Sequence, residues 1–405
     1  MSSSYDDLFS RVVPRRGTNT YKWDFKSVNK SGRQLLPMWV ADMDFPIAPA
    51  IQEALRERLS HPFFGYSFPP EPYFESFRSW QSRRNGWEVR REWQSYSPGV
   101  MESVRAAILQ FTEPGDEVVV QPPVYYPFFT SVSDNNRTLV ENPLREVDGR
   151  YTMDLDQLVS VLTPNTKLLV LCSPHNPVGR VWSKSELERL AEIVVANDML
   201  VIADEIHADI VREGVEFVPF TTVSDAVAAR TIALHAPSKT FNIPGLSSSQ
   251  VIIPDALLKK RFDAAIERLG MILPNIMSIT ASIAAYQDAE PWVNALLSFL
   301  DDQFAWFASE LASRLPELRF ARPEGTYLAW IDFCVLMEET GASDRDVKHA
   351  LLEDAALWLN EGTMFGTGGS GHQRLNLAAP RATAEDGLRR LELAVASLRG
   401  GRAHS

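Results

Sequence analysis

Cysteine is scarce in this sequence: only Cys172 and Cys334 occur among 405 residues. Each lies in an apolar, strand-like run far from the other, so neither a disulfide framework nor a CxxC motif is supported. We predict that both are small core residues and that the protein holds no metal.

Long apolar runs and basic clusters are missing as well. No apolar run approaches the roughly 18 residues that a membrane span needs, and the first sixteen residues lack the apolar core of a signal peptide. The formal net charge is −12, and the 40 basic residues are dispersed. Such a charge repels nucleic acid and anionic lipid. We therefore expect a cytoplasmic protein that binds neither nucleic acid nor membranes.

The overall composition is that of a globular protein, with 45% apolar and 23% charged residues. The length is about two to three times that of a usual single domain, which favours two domains. Apolar runs of strand length alternate with segments of helical period, the pattern of an α/β protein with a large, doubly wound, mostly parallel sheet. The predicted strands are 167–172, 199–203, 231–235 and 250–253, with a helix opened by a capping box at Ser183 and Glu186.

From about Ser278 onward the pattern changes to that of a smaller α+β unit. A long helical stretch carries Trp292, Leu296, Leu297, Leu300 and Phe304 on one face. It is followed by predicted strands at 326–333 and 374–378 and predicted helices at 344–357 and from 383. We therefore predict an N-terminal arm and part of the small domain at 1–45, a large domain at 46–280, and a small domain at 281–405.

Three polar residues follow three of the predicted strands. Lys239 follows the strand ending at His235, Asp204 closes the strand before it, and Asn176 lies in the turn after residue 172. If these strands are neighbours, the three side chains converge on one sheet edge. A carboxylate, an amide and an amine are what a pyridine aldehyde cofactor requires. Taken one at a time, the residues also have ordinary structural roles: Asp204 as a helix N-cap, Asn176 as a turn former and Lys239 as a solvated lysine at a strand end.

The motifs around these residues resemble those of fold-type I pyridoxal-phosphate enzymes. They are Cys172–Gly179, Asp204–His207 and Ser238–Gly245. Lys22-Trp23-Asp24 and Leu36–Phe45 more narrowly resemble the MalY/PatB family of carbon–sulfur β-lyases. The similarity extends from about Arg15 to the final helix, and the motifs follow in family order. The resemblance implies the fold-type I transferase fold, pyridoxal 5'-phosphate as cofactor, and a homodimer with shared active sites.

The resemblance also implies roles at the cofactor. Lys239 would carry the cofactor as a Schiff base and move the substrate α-proton, while Asp204 would pair with the ring nitrogen. Asn176 and His207 would donate to the ring hydroxyl. Tyr125 would stack on the ring, although core packing is an alternative and the adjacent Tyr126 competes for the role.

The cofactor phosphate is predicted at Gly99, Val100 and Met101, because the free N–H groups at the start of a helix attract an anion. Ser238 would add a hydroxyl. The resemblance implies that Tyr66 reaches the phosphate of the neighbouring subunit. One position departs from the family pattern: related aminotransferases usually have a phosphate-binding arginine eight residues after the lysine, where this chain has Ser247.

The substrate is predicted to bind through Arg374, whose forked guanidinium would hold the α-carboxylate. A plain salt bridge is the alternative, and Arg381 lies near enough in sequence to be confused with it. The resemblance makes Asp42 to Phe45, Tyr66 and the loop from Phe365 to Gly371 candidates for further substrate contacts.

A run of glycines from Gly366 to Gly371 matches the dinucleotide pattern G-x-G-x-x-G. The expected context is absent, because the glycines lead into a predicted strand and not into a helix. We therefore expect a flexible wall of the active site and no nicotinamide cofactor.

The favoured reaction is α,β-elimination of cystathionine or another cysteine S-conjugate to pyruvate, ammonia and a thiol. The segment from Trp39 to Phe45 favours this reaction, because related aminotransferases usually have a glycine near the substrate there. No second arginine for a dicarboxylate side chain is evident. Transamination is the alternative, and a regulatory binding role that retains the fold is a third.

Overall fold

The computed structural model describes residues 3–400, so residues 1–2 and 401–405, which the predicted terminal domains include, lie outside the described residues. The helices are α1 Ser3–Ser10, α2 Tyr21–Asp24, α3 Pro49–Ser60, α4 Glu71–Asn85, α5 Val100–Phe111, α6 Pro127–Ser133, α7 Leu155–Val161, α8 Lys184–Ala196, α9 Asp225–Ala228, α10 Pro237–Thr240, α11 Ala256–Arg268, α12 Ile276–Asp288, α13 Glu290–Arg314, α14 Cys334–Thr340, α15 Asp344–His349 and α16 Arg381–Arg399. None of these helices combines the length and the apolar character that crossing a membrane requires.

The strands are β1 Leu36–Pro37, β2 Gln94–Ser97, β3 Glu117–Val120, β4 Thr138–Glu141, β5 Arg145–Val147, β6 Arg150–Thr152, β7 Thr166–Cys172, β8 Leu200–Asp204, β9 Thr231–His235, β10 Ser249–Ile252, β11 Arg319–Phe320, β12 Leu328–Asp332, β13 Leu357–Trp358, β14 Asn360–Glu361 and β15 His372–Asn376. The four strands predicted for the large sheet are therefore confirmed to within a residue or two.

The large sheet has seven strands in the order β2-β10-β9-β8-β7-β3-β4. Strands β9, β8, β7, β3 and β4 run parallel, and β10 is antiparallel to both of its neighbours. Strands β7 and β9 are almost continuously buried, because apolar side chains on both faces pack against helices. The predicted doubly wound, mostly parallel α/β fold is confirmed.

The register of the central strands brings the predicted site residues to one edge. Asp204 at the end of β8 pairs with Cys172 of β7 on one side and with Leu234 of β9 on the other. The turn containing Asn176 and the short helix α10 with Lys239 follow these strand ends directly. The carboxyl ends of three neighbouring strands therefore frame one site.

The helix between β7 and β8 begins as predicted. The Ser183 hydroxyl accepts a hydrogen bond from the Glu186 backbone N–H, and the Glu186 carboxylate accepts one from the Ser183 N–H, so the capping box is complete. The apolar face of this helix packs inward: Leu187, Leu190 and Val194 are buried.

The C-terminal part contains the four-stranded antiparallel sheet β11-β12-β15-β14. The long helical stretch predicted from Ser278 proves to be two helices, which meet at Ala289. Pro291 lies in the first turn of α13, where proline is tolerated, but it cannot continue the hydrogen bonding of a preceding helix.

The helix predicted over 344–357 is also too long. Helix α15 ends at His349 and passes into one turn with wider, π-type hydrogen bonding over Ala350–Asp354. Ala356 then has a positive φ of 53°, which ends the helical path. Strand β13 follows and pairs in parallel with β1 of the N-terminal arm.

The N-terminal arm lies against the C-terminal part. Besides the pairing of β1 with β13, Phe9 of α1 packs on Trp292 and Phe299 of α13. The proposed division into an arm, a large domain and a small domain remains a prediction.

The prediction that both cysteines are core residues holds for Cys172, which is buried. It is wrong for Cys334, which is exposed because it begins helix α14 and does not lie in β12. Both thiols are unpaired.

Candidate active site

A cavity of about 420 Å³ opens at the carboxyl ends of β7, β8 and β9. Most of the predicted site residues line it; they are Gly99, Val100, Met101, Tyr125, Asn176, Asp204, His207, Ser238, Lys239 and Arg374. The cavity also includes Tyr21 and Trp39 of the N-terminal arm and Asn360 of β14.

Lys239 projects its amine into this cavity from α10. The Nζ donates a hydrogen bond of 2.6 Å to the carbonyl oxygen of Ala41. Burial lowers the pKa of Lys239 to about 8, although the carboxylates of Asp42 and Asp204 act in the opposite direction. A sizeable fraction of the amine is therefore neutral near physiological pH and available as a nucleophile or base.

Asp204 ends β8 and is fully enclosed. One of its carboxylate oxygens accepts a hydrogen bond of 3.2 Å from the Ile206 backbone N–H. Burial raises the pKa of Asp204 to about 6. The carboxylate is therefore ionised at neutral pH and supplies a fixed negative charge at the cavity wall.

Asn176 and His207 provide polar groups on either side of that carboxylate. The Oδ1 of Asn176 accepts a hydrogen bond of 2.9 Å from Arg374, which leaves its amide group to donate elsewhere. His207 is buried, and its Nδ1 has no partner among the described residues. Burial lowers the pKa of His207 well below its ordinary value, so the ring is neutral.

Two neighbouring tyrosines form an aromatic wall. The ring centroids of Tyr125 and Tyr126 lie 5.5 Å apart, and both side chains line the cavity. Tyr125 packs edge-on against Phe128, and burial raises its pKa to about 12, so its hydroxyl stays protonated. Tyr126 packs edge-on against Phe365. Both the predicted stacking residue and its competitor are therefore at the site.

The part of the cavity wall around Gly99 is suited to an anion. Gly99 is the N-cap of α5, whose first backbone N–H groups have no partner within the helix. Ser238, Ser247 and Ser248 also line the cavity. The side chain of Glu102 lies against Gly99, in the space that a Cβ at this position would take.

Arg374 lies on β15 and is buried. Its guanidinium donates to Asn176 Oδ1 at 2.9 Å, to Asn360 Oδ1 at 2.5 Å and to the Trp39 carbonyl oxygen at 2.9 Å. Its Nε has no partner among the described residues. Burial lowers the pKa of Arg374 to about 10, so the side chain remains charged at neutral pH. These contacts fix the orientation of a cation that faces the cavity.

Asp42 to Phe45 and Tyr66, which were predicted to contact substrate, do not line the cavity of the single chain. The carboxylate of Asp42 forms salt bridges with Arg15 and Lys22 and does not line the cavity. Tyr66 is 96% exposed on the surface. Arg381 is excluded from the cavity as well, since it stacks over Trp306 at 4.3 Å.

The glycine run packs against neighbouring residues and is not the predicted wall of the active site. Gly366 and Gly371 have positive φ values of 85° and 77°, and a Cβ at either would collide with Phe129 or Cys334. The following residues form β15, so no helix opens in this motif and the dinucleotide context is absent, as expected. The loop does not line the cavity.

Sequence reasoning missed three contributors: Asn360, Tyr327 and the carbonyl group of Ala41. Asn360 orients Arg374, and the Tyr327 hydroxyl donates to the Ala41 carbonyl at 2.8 Å. Strand β14, which carries Asn360, has only two residues and therefore no periodicity to detect. A backbone carbonyl leaves no signal in a sequence.

The donors and acceptors around the cavity fit a pyridine ring that carries an aldehyde and a phosphate. The unpartnered His207 nitrogen and the amide of Asn176 can meet a ring oxygen, Asp204 can meet a ring nitrogen, and the Gly99 turn can meet a phosphate.

Comparisons with known proteins agree with this geometry. Residues 43–391 match the model of the aminotransferase class I and II family. The chain is 40% identical over 388 residues to cystathionine beta-lyase PatB from Bacillus subtilis and 34% identical over 394 residues to Protein MalY from Escherichia coli, covering 96% of this chain and 99% of the relative in both cases. The crystal structure of cystalysin from Treponema denticola, which contains a pyridoxal 5'-phosphate cofactor, superimposes with a TM-score of 0.91 at 33% identity, over 96% of this chain and 99% of cystalysin.

Proposed function

The chain belongs to the aminotransferase class I and II family, and we infer that it is a pyridoxal-phosphate-dependent carbon–sulfur β-lyase. It cleaves cystathionine or another cysteine S-conjugate to pyruvate, ammonia and a thiol. The observation that carries this inference is the convergence of Lys239, Asp204, Asn176 and Arg374 on one cavity, in a chain whose relatives include cystathionine β-lyases.

Pyridoxal 5'-phosphate is the cofactor. When bound, its ring withdraws the electron pair that the substrate α-carbon retains after losing its proton. Lys239 would hold the aldehyde carbon, Asp204 the ring nitrogen, and Asn176 and His207 the ring oxygen. The residues Gly99, Val100, Met101 and Ser238 would hold the phosphate.

The side chains of this protein bind the substrate, transfer its α-proton and exclude water. Arg374 binds and orients the substrate α-carboxylate through its forked guanidinium. The neutral amine of Lys239 accepts the α-proton, which is consistent with its lowered pKa of about 8. The negative charge of Asp204 keeps a ring proton in place, because the carboxylate is ionised above about pH 6. Tyr125 and Tyr126 exclude water from one face of the cavity.

Elimination and transamination both begin with removal of the α-proton, so the positions of Lys239 and Asp204 do not separate them. The arm segment from Trp39 to Phe45 favours elimination, because related aminotransferases usually have a glycine near the substrate in the matching stretch. In this chain Trp39 and Ala41 of that segment line the cavity. The third reading, a regulatory binding protein that retains the fold, has no comparable support.

The test is incubation of the purified protein with cystathionine or S-benzylcysteine in the absence of a keto acid, while pyruvate and free thiol are followed. We expect sustained release of pyruvate and thiol in equal amounts. The Lys239→Ala variant is the control and should release neither. Product that appears only after a keto acid is added would identify an aminotransferase, and no product with any amino acid would leave the regulatory role.

We further propose that the protein is a homodimer with shared active sites. A strip of exposed apolar residues runs along the segment after α3; it consists of Phe63, Phe64, Tyr66 and Phe68. Contiguous exposed apolar surface of this kind marks an interaction site. Tyr66 would then reach the cofactor phosphate of the other subunit.

The proposed sharing can be tested by mixing two inactive variants, Lys239→Ala and Tyr66→Ala. Mixed dimers carry one site with both native residues, so up to about a quarter of the native activity should return after subunit exchange, since half of the dimers are mixed and each has one of two sites intact. No recovery in mixtures that demonstrably exchange subunits would contradict shared sites.

We also propose a cytoplasmic location, in keeping with two unpaired thiols in the chain. Cell fractionation with an antibody against the protein tests it, and recovery in a secreted or membrane fraction would contradict it.

A further inference from the structure

The N-terminal arm contributes a charge cluster that the proposed reaction does not use. The cluster consists of Arg15, Lys22, Asp42 and Asp44. The Arg15 guanidinium contacts Asp42 at 2.8 Å and Asp44 at 2.6 Å. The Lys22 amine contacts Asp44 at 2.7 Å and Asp42 at 3.4 Å. Two cations and two carboxylates therefore form a closed and electrically balanced group.

The cluster is largely removed from solvent. Lys22 is only 1% exposed, Asp44 is buried, and Trp23 adds an indole N–H that donates to Asp44 at 2.8 Å. Burying four charges costs free energy, and removal of one partner leaves an uncompensated charge inside the protein. A buried group of this kind does not by itself make the fold more stable. Its role is therefore inferred from where it lies in the fold.

That position is directly behind the cavity wall. Besides the carboxylates, the cluster binds the backbone between them: Lys22 donates to the Asp42 carbonyl at 3.0 Å, and Arg15 donates to the Met43 carbonyl at 3.0 Å. Asn376 also donates to the Val40 and Asp42 carbonyls, at 2.7 and 2.6 Å. The backbone from 40 to 43 is therefore held by hydrogen bonds from several side chains.

Between these fixed points lies the Ala41 carbonyl, the acceptor of the Lys239 amine. The Tyr327 hydroxyl donates to the same oxygen at 2.8 Å. The cluster therefore helps to hold the acceptor of Lys239 in place, and Asp42 within it provides a carboxylate whose field reaches the same amine.

Three other polar groups face Lys239. They are Asp204 at the end of β8, the neutral ring of His207 in the turn after β8, and Arg374 on β15. Asp42 is the largest charge contribution favouring the protonated amine, ahead of Asp204, whereas Arg374 opposes protonation. The net charge of the arm cluster therefore affects how readily the Lys239 amine holds its proton.

We propose that Arg15 and Lys22 are positioning residues for the reaction, which hold the Ala41 carbonyl against Lys239 and balance the charge of Asp42 so that the nitrogen of Lys239 releases its proton at working pH. This proposal rests on the proposed function, in which Lys239 binds the cofactor. It also gives a role to Lys22, Asp42 and Asp44, to which the proposed reaction assigns none.

The test is a spectrophotometric pH titration of the purified holoenzyme without substrate. The visible absorption of the bound cofactor changes when the Lys239 nitrogen gains or loses its proton, and the midpoint pH is the readout. Lys22→Met and Arg15→Met each leave the cluster with a surplus negative charge, which favours the protonated nitrogen. We expect either variant to raise the midpoint by about 0.5 to 1 pH unit, the size of effect that one nearby charge produces.

The opposite change is made by Asp42→Asn, which leaves the cluster with a surplus positive charge and should lower the midpoint. Arg16→Met is the matched control: Arg16 is the neighbouring arginine and binds the Leu35 carbonyl at 2.6 Å, but it touches neither carboxylate of the cluster. Its midpoint should stay within about 0.2 pH unit of the native protein.

Opposite shifts distinguish this role from a merely structural one, because general loosening of the arm would move all variants in the same direction. A midpoint that is unchanged in both Lys22→Met and Arg15→Met, or that moves in the same direction in Asp42→Asn, overturns the proposal. A native protein that shows no cofactor absorption at all would instead contradict the proposed function.

Discussion

Replacement of Arg374 by methionine should remove the binding of the substrate α-carboxylate. In the structure the guanidinium is oriented by Asn176, Asn360 and the Trp39 carbonyl, and its position is fixed before substrate arrives. Methionine keeps an apolar stem over the ring of Phe365, on which the guanidinium now lies at 5.0 Å. The variant therefore removes the charge and the forked donors and leaves comparable packing.

The size of the effect follows from the bonds lost. A charge-assisted hydrogen bond contributes about 1.5–3 kcal/mol, so two of them contribute about 3–6 kcal/mol. We expect kcat/KM to fall between about 10²- and 10⁴-fold, since about 1.4 kcal/mol corresponds to a factor of ten. Arg374→Lys should retain part of the activity, because an ammonium keeps the charge but cannot form the paired bonds.

The assay is pyruvate release from a cysteine S-conjugate, coupled to lactate dehydrogenase, with thermal unfolding recorded for each variant. Arg381→Met is the matched control, because Arg381 lies on Trp306 outside the cavity and should lose less than about twofold. The reasoning is refuted if Arg374→Met keeps kcat/KM within tenfold of the native enzyme, or if Arg381→Met loses as much.

Three further predictions follow from the cavity. Asp204→Asn should lower kcat about 10²-fold or more. Glu205→Gln, which changes the adjacent residue outside the cavity, should lower kcat much less. In the native enzyme the rate should fall on the acid side with a midpoint at or below about pH 6, where the Asp204 carboxylate gains a proton. Ser247→Arg should tighten cofactor binding several-fold in an absorbance titration of the cofactor-free protein, because the phosphate end of the cavity has no cationic side chain among the described residues that line it; unchanged affinity would contradict this. Because Tyr21 and Trp39 form an aromatic mouth to the cavity, kcat/KM should be higher for S-benzylcysteine than for cystathionine, and Trp39→Ala should reduce that preference.

The central part of the site could be predicted from the sequence because parallel strands place their carboxyl ends together. Lys239, Asp204 and Asn176 each follow a buried apolar run, and strand adjacency then brings them to one edge. The phosphate end was predictable for a related reason: Gly99 precedes a helix, and helix N-termini attract anions.

The remaining features depend on contacts between distant parts of the chain, which leave no local pattern. Asn360 lies in a two-residue strand, and the salt bridges of Asp42 join it to residues about twenty or more positions earlier in the arm. Pattern reasoning also placed the glycines at 366–371 in the wall of the active site, although they do not line the cavity. The helix predicted to 357 was too long because residues 357–358 form β13, which pairs with β1 of the N-terminal arm, a contact between distant parts of the chain.

The most direct measurement is borohydride reduction of the holoenzyme followed by proteolysis and mass spectrometry of the cofactor-bearing peptide. Reduction fixes the cofactor on the amine that carries it. The account predicts one labelled peptide, with the pyridoxyl group on Lys239 and no label in the Lys239→Ala protein. A label on a different lysine, or undiminished labelling of the variant, would contradict it.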